Sequence, residues 1–332
     1  MNNARFFRMA VAAAAAITAI APTAPITGTG QAFEINDSSP AATVPVTPSD
    51  LNDVMDGEMP KMPTFPKLVR KPGFLRGYVR DTNNKPLVGA SVMILPPTVF
   101  GSGFSRRSIS TKTDTKGFYE IPVPSGGCTV WCAGYSLNYN GVRLALPLHP
   151  VDGGLDSIDK QKGDIENFVL LTYGVANPST VSGNPVYSGG YYGASFTVGY
   201  ATRESNDVIA PASWLLSGFE VEITLTPKGP LVDGSAGRPL IIRKKLENSS
   251  YFQVNDVPIG RYEIRSRVTE NGKNIPLRLK DNVRSGRKGG MTPTETTDTA
   301  VIVFRSSGGD PATLRVPGGS MERLELLIER AA

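Results

Sequence analysis

Between residues 74 and 135, turn-forming clusters recur at the spacing of about 8–12 residues that separates short antiparallel strands. Residues 75–80 alternate apolar and polar positions, as a half-buried strand does and an amphipathic helix does not. Residues 81–86, Asp-Thr-Asn-Asn-Lys-Pro, form the first turn, and residues 91–95 the next strand. Residues 108–113 make a third strand, closed by Asp114-Thr-Lys-Gly117, where glycine can adopt the positive φ of a hairpin turn. Residues 118–123 run out again, and Pro124-Ser-Gly-Gly127 turns the chain into residues 128–133.

The order of these pieces carries a resemblance. Asp81, Pro86, Leu87, Gly89, Ala90 and Val92 are followed by Thr111, Thr113, Asp114, Gly117, Tyr119 and Ile121, then by Pro124 and Gly126. This pattern resembles the carboxypeptidase regulatory-like domain, which implies a transthyretin-like Greek-key β-sandwich over residues 73–172. The resemblance carries over no catalytic residue. Cys128 stands where that family often places an aromatic.

Upstream, residues 1–32 hold Arg5 and Arg8, a short Ala-rich apolar run and a small-residue end at Gly30-Gln31-Ala32. That is the pattern of a secretory signal peptide, and the apolar run falls short of the roughly 20 residues of a membrane span. A retained N-terminal anchor is the alternative. Residues 33–72 contain Pro40, Pro45, Pro48, Pro60, Pro63, Pro66 and Pro72 among scattered acids, and read as an extended, mostly disordered spacer. Docking of Leu51 and the methionines of residues 55–62 on a partner is the other reading.

The only two cysteines of the chain, Cys128 and Cys132, lie four apart in a strand. At about 3.3 Å per residue their Cα atoms are roughly 13 Å apart, beyond the ~7 Å that a disulfide spans. Both are expected as free thiols facing the core with Val130. A bridge requires the segment to coil after Gly127.

Residues 141–148 alternate again up to the single histidine, His149. Asp152, Asp156, Asp159, Asp164 and Glu166 follow without the spacing of a calcium loop, which favours a solvated acidic loop. Residues 167–172 read as a strand that either half could claim. Residues 173–200 form a Gly/Tyr-rich connection, with Tyr187, Tyr191, Tyr192 and Tyr200. Exposed, these tyrosines could stack on sugar rings; the alternative is that they cover the joint between two domains.

The second half, residues 201–332, repeats the first in weaker form. Residues 219–226 and 239–246 alternate as strands. Residues 251–265 are similar to the same family's strand, Pro-x-Gly turn and Tyr-x-Ile strand. Residues 299–304, 312–316 and 324–328 complete the count. On residues 261–268, Tyr262, Ile264 and Val268 share one face, and Arg261, Arg265 and Arg267 the other. The net charge of +5 is modest, but this cluster could contact an anionic polymer; a solvated strand face is the plainer reading.

No catalytic constellation emerges. One histidine excludes paired-histidine zinc motifs, there is no G-x-S-x-G elbow, and no cofactor or metal is expected. An unfamiliar acid pair such as Asp152 with Asp164 is the surviving enzymatic reading. The sequence thus predicts an all-β, exported, non-enzymatic protein of two transthyretin-like Greek-key β-sandwiches behind a signal peptide and a disordered linker. Its role is carbohydrate binding or surface interaction, with a structural or adhesion component of the envelope as the alternative. The expected partner is a polysaccharide or an envelope protein, with no nucleic acid and no transmembrane span.

Overall fold

The computed structural model describes residues 42–45, 51–96, 108–126, 128–176, 190–247, 250–282, 290–306, 321–322 and 324–331. All lie in the unit Ile35–Ala332. Among the described residues there is no α-helix, and the described chain is all-β. Residues 1–32, Tyr187, residues 312–316 and the basic positions 284–288 lie outside the described residues.

The Pro-rich stretch supplies two short strands, β1 (Ala42–Pro45) and β2 (Leu51–Asp53). The first sandwich then follows: β3 (Phe74–Asp81), β4 (Ser91–Leu95), β5 (Ile109–Lys112), β6 (Phe118–Pro122), β7 (Cys128–Tyr139), β8 (Val142–Pro147), β9 (His149–Pro150), β10 (Ser157–Ile158), β11 (Asp164–Ile165) and β12 (Phe168–Leu170). One five-stranded sheet runs β10-β7-β4-β5 with β8 on β7; the other runs β11-β3-β12-β9 with β6 on β3. Leu75, Val79, Ile121 and Phe168 from one sheet meet Val92, Ile94, Val130 and Leu144 from the other in a shared core.

The turn chemistry expected at Asp114 to Gly117 is visible. Gly117 takes φ 73°, and the Asp114 carboxylate accepts the N–H groups of Lys116 and Phe118 at 2.8 and 2.9 Å. Gly77 lets another backbone close in: a Cβ there would stand 1.7 Å from the Glu166 carbonyl oxygen. That approach brings β11 and β12 alongside β3, in parallel, on either side of the Glu166-Asn167 step. Residues 167–172 therefore belong to the first sandwich through β12.

The cysteines correct the sequence reading in part. Both are free and buried. Cys128 faces the main core with Val130, but a register shift opposite Met93 and Ile94 adds a residue to β7. Because side chains alternate, that bulge turns Cys132 to the opposite face, beside Met93 and Trp131.

The second half comprises β13 (Ala194–Gly199), β14 (Thr202–Arg203), β15 (Leu215–Leu216), β16 (Glu220–Pro227), β17 (Leu240–Lys245), β18 (Tyr251–Val257), β19 (Arg261–Glu270), β20 (Lys273–Asp281), β21 (Met291–Thr292), β22 (Glu295–Thr296), β23 (Ala300–Val303) and β24 (Leu324–Arg330). Ten of these strands join β1 and β2 in one 12-stranded sheet along the path β1-β17-β16-β19-β20-β24-β13-β18-β2, with β21, β22 and β23 off it, while β14 and β15 pair with each other apart from it. The alternation read from the sequence holds in β24, where Leu324, Leu326 and Ile328 are buried. Tyr262, fully buried, donates its hydroxyl to the Pro258 carbonyl at 2.7 Å and fixes the turn into β19.

The spacer expectation fails for the described part of residues 33–72. β1 and β2 pair in parallel with β17 and β18, the two ends of the sheet path. Pro45 to Leu51 is six residue steps, which reach at most about 21 Å. Both sheet ends therefore lie within that distance, and the sheet curls round until β1 and β2 stand near each other. Val54 and Met55 are buried in the common core. Composition suggested disorder because proline dominates it, but proline is tolerated at a sheet edge, where one side of the strand needs no partner.

Candidate functional site

The residues with the most chemical capacity converge on the joint between the halves. Asp256, on β18, has a positive φ of 58° and is fully buried. Aspartate tolerates this left-handed conformation better than most residues. Its carboxylate accepts the Gly174 N–H at 2.8 and 2.9 Å and the Gly193 N–H at 3.0 Å. One side chain thus holds both ends of the Gly/Tyr-rich connection. Burial pushes the Asp256 carboxyl up to about 7, with Asp53 adding to the rise and the two glycine N–H groups opposing it.

Between those glycines the arms of the connection pair with each other. Val175 bridges Tyr191, the Ala176 N–H bonds the Gly190 carbonyl at 2.8 Å, and the Tyr192 N–H bonds the Gly174 carbonyl at 2.8 Å. Tyr192 then turns inward among Val169, Leu171 and Ala176, with Met59, Met62 and Val151 against them. Its hydroxyl lies 3.0 Å from His149 Nδ1, and the two rings meet edge to face with centroids 5.2 Å apart. Burial lowers His149 to about 4, so the imidazole is neutral near pH 7, and burial raises Tyr192.

More polar contacts tie the halves together. Thr82 donates to the Asp233 carboxylate at 2.7 Å, and the Asn83 side chain donates to the Asp233 carbonyl at 2.9 Å. Tyr139 donates to the Pro230 carbonyl at 2.7 Å, and the Ile259 N–H to the Thr172 carbonyl at 2.9 Å.

Two of the three candidate tyrosines among the described residues are closed to stacking. Tyr192 and Tyr200 are buried, with 6% and 3% of their surface exposed, and Tyr200 packs on Phe252. Amphipathic rings beside glycines filled the joint instead of facing water. Tyr191 is half-buried, and its hydroxyl is raised to about 12 by burial, with Asp53 and Asp256 adding.

The basic candidates are also engaged. Arg267 pairs with Glu222 at 2.7 Å and Arg265 with Glu263 at 3.4 Å, while Arg243 on β17 and Lys228, just past β16, approach the same two glutamates. Arg261 sits beside the Tyr139 hydroxyl at the joint. Cross-strand acids balance this face, which suits a solvated sheet surface.

Asp152 and Asp164 both lie close to Glu166, whose carboxyl is buried and pushed up to about 9, first by burial and then by Asp152. Glu166 and Asp152 share a hydrogen bond, closer than the roughly 5 Å separation that two glycosidase carboxyls keep. No group of three or more His, Cys, Asp or Glu among the described residues is arranged to hold a metal ion. The described residues contain no helix long and apolar enough to cross a membrane.

Asp256 escaped the sequence reading, in which Asn255-Asp256 passed as part of a strand. The available signal was an Asn-Asp pair interrupting an alternating run just before Val257-Pro-Ile-Gly.

No family model matches the chain, and no curated protein does; the family resemblance rests on the residues quoted above. Among solved structures, the chain is similar to the Bacillus anthracis TIE protein at 15% identity and TM-score 0.23, over 58% of this chain and 28% of that one. It is similar to a streptococcal ancillary pilin at 9% identity and TM-score 0.23, over 78% of this chain and 69% of that one. A shaft pilin of Lactobacillus rhamnosus GG matches at 9% identity and TM-score 0.16, over 79% of this chain and 99% of that one.

Proposed function

We propose that the protein is an exported, non-enzymatic structural or adhesion component of the cell envelope, with envelope protein as its partner. The supporting observation is where the reactive side chains are used. His149, Tyr192 and Asp256 are buried and bonded to one another's segments at the joint. They hold two sandwiches as one body instead of facing a substrate. The Arg and Ala-rich leader pattern of residues 1–32 supports export.

A carbohydrate-binding role is the second reading, favoured by Tyr191, the candidate tyrosine that the described residues leave partly open. Binding of residues 33–332 to neutral and acidic polysaccharides, at low and high salt, separates the two. The structural reading expects no salt-resistant binding and expects cross-linking in intact cells to capture envelope protein. Salt-resistant polysaccharide binding that disappears in Tyr191→Ala would overturn it.

A further inference from the structure

We propose that β1 and β2, with Val54 and Met55, form an exchangeable strap, and that the partner of the seam it fills is the same segment of a second copy of this chain. The inference deepens the structural reading above by naming a partner.

The strap shadows a corner of the second sandwich. Ala42, Thr43, Val44 and Pro45 lie in register with Leu240, Ile241, Ile242 and Arg243, and Leu51, Asn52 and Asp53 with Gln253, Val254 and Asn255. β17 and β18 are consecutive strands, and the strap runs parallel to β17 through β1 and parallel to β18 through β2. Pro45 and Leu51 are six steps apart along the chain, and their partners Arg243 and Gln253 ten. After Asp53 the Val54 N–H still bonds the Asn255 carbonyl at 3.1 Å.

Without the strap, β17 and β18 would both be edge strands, with a row of unpaired N–H and C=O groups ready to take a strand from elsewhere. The strap is also remote in sequence from what it completes. The whole first sandwich stands between Asp53 and β13, so no short loop forces the pairing to be made within one chain. Beyond Asp53 the chain turns at Asp56 and Gly57, both at positive φ, held by N–H bonds to the Asp53 carboxylate from Met55 and Gly57 at 2.9 Å. Past that turn, Met59 and Met62 anchor it at the joint. Release of the strap, with rotation at residues 56–58, delivers it intact to the seam of a neighbour while that neighbour's strap is passed on. Identical main-chain pairing is available in either arrangement, so concentration decides between them. Handed on from copy to copy, the exchange builds a head-to-tail chain; closed reciprocally, it builds a dimer.

The test uses the chain from residue 33 onward. One preparation carries Thr43→Cys and another Ile241→Cys, at partners in the β1/β17 register. Mixed at high concentration under mild oxidation, they should give a disulfide-linked heterodimer. Its yield should rise with concentration and exceed by about tenfold that from Thr43→Cys mixed with Val208→Cys, a 95% exposed control position. The double variant Thr43→Cys/Ile241→Cys, oxidised when dilute, should close within one chain and remain monomeric at every concentration. Heterodimer yield no higher than the control would overturn exchange. Failure of the double variant to close would overturn the register on which it rests. Neither readout needs an envelope partner, so loss of this proposal leaves the structural reading standing, and the reverse holds.

Discussion

Replacing Asp256 with asparagine should flatten the pH dependence of stability across the acid range. The carboxyl moves from 3.8 to about 7 on folding, so the folded state binds its proton more tightly than the unfolded state. Its stabilising contribution is fully present below pH 3.8 and is lost as pH rises through about 7. The difference corresponds to about 4 kcal/mol as an upper bound, with water reaching the joint reducing it. Asparagine keeps the left-handed backbone tolerable, and its Oδ1 can accept both N–H groups that reach Asp256 Oδ1, from Gly174 and Gly193. The variant should therefore lie within about 1 kcal/mol of the parent near pH 4.5 and exceed it by about 2–4 kcal/mol at pH 8.5. Urea unfolding of both proteins at four pH values measures this. Glu166, raised to about 9, and His149, lowered to about 4, contribute their own slopes to both proteins, and the difference between the curves removes them. A difference that stays constant with pH would refute the assignment of Asp256 as a buried carboxyl that gains its proton on folding.

Three further outcomes are expected. Tyr192→Phe removes the hydroxyl facing His149 and should cost about 1 kcal/mol in urea unfolding; no loss would mean that the contact contributes nothing. Met55→Ala should cost about 2–3 kcal/mol, with amide exchange accelerated first along β2 and β18; a uniform acceleration over both sandwiches would contradict a strap that opens by itself. Gly77→Ala places a Cβ against the Glu166 carbonyl and should lower the melting temperature by several degrees, with loss of the β3/β11 and β3/β12 pairing in amide exchange. Unchanged exchange there would refute the close approach.

Much of the first sandwich was legible because its signals are local. Alternation in residues 75–80 gives β3, the Asp114 to Gly117 turn gives the β5/β6 connection, and each requires only neighbours along the chain. The Cys132 face was not legible, because a single bulged residue reverses the alternation and nothing in residues 128–133 announces where the register slips. The tyrosines left two readings open for a related reason. An amphipathic ring next to glycine serves a sugar site or a joint equally well, and the choice depends on what the rest of the chain brings up against it. Here His149 and Leu171 arrive from the first half to enclose Tyr192, and Phe252 from the second encloses Tyr200.

The strap shows the same limit at longer range. Pairing of Ala42 with Leu240 joins positions about two hundred residues apart, and no window of sequence contains both. Read alone, residues 33–72 have the composition of a spacer, since proline disfavours the interior of any regular element. An edge in parallel pairing is a place where that composition can still be ordered, and the edge exists only once residues 194–330 have folded. Completion of the second sandwich thus depends on the first segment made, and closing so long a loop is slow relative to forming local hairpins. The seam between β17 and β18 is therefore the last part of this sheet to be covered, which leaves its two edges open longest to the strap of another copy.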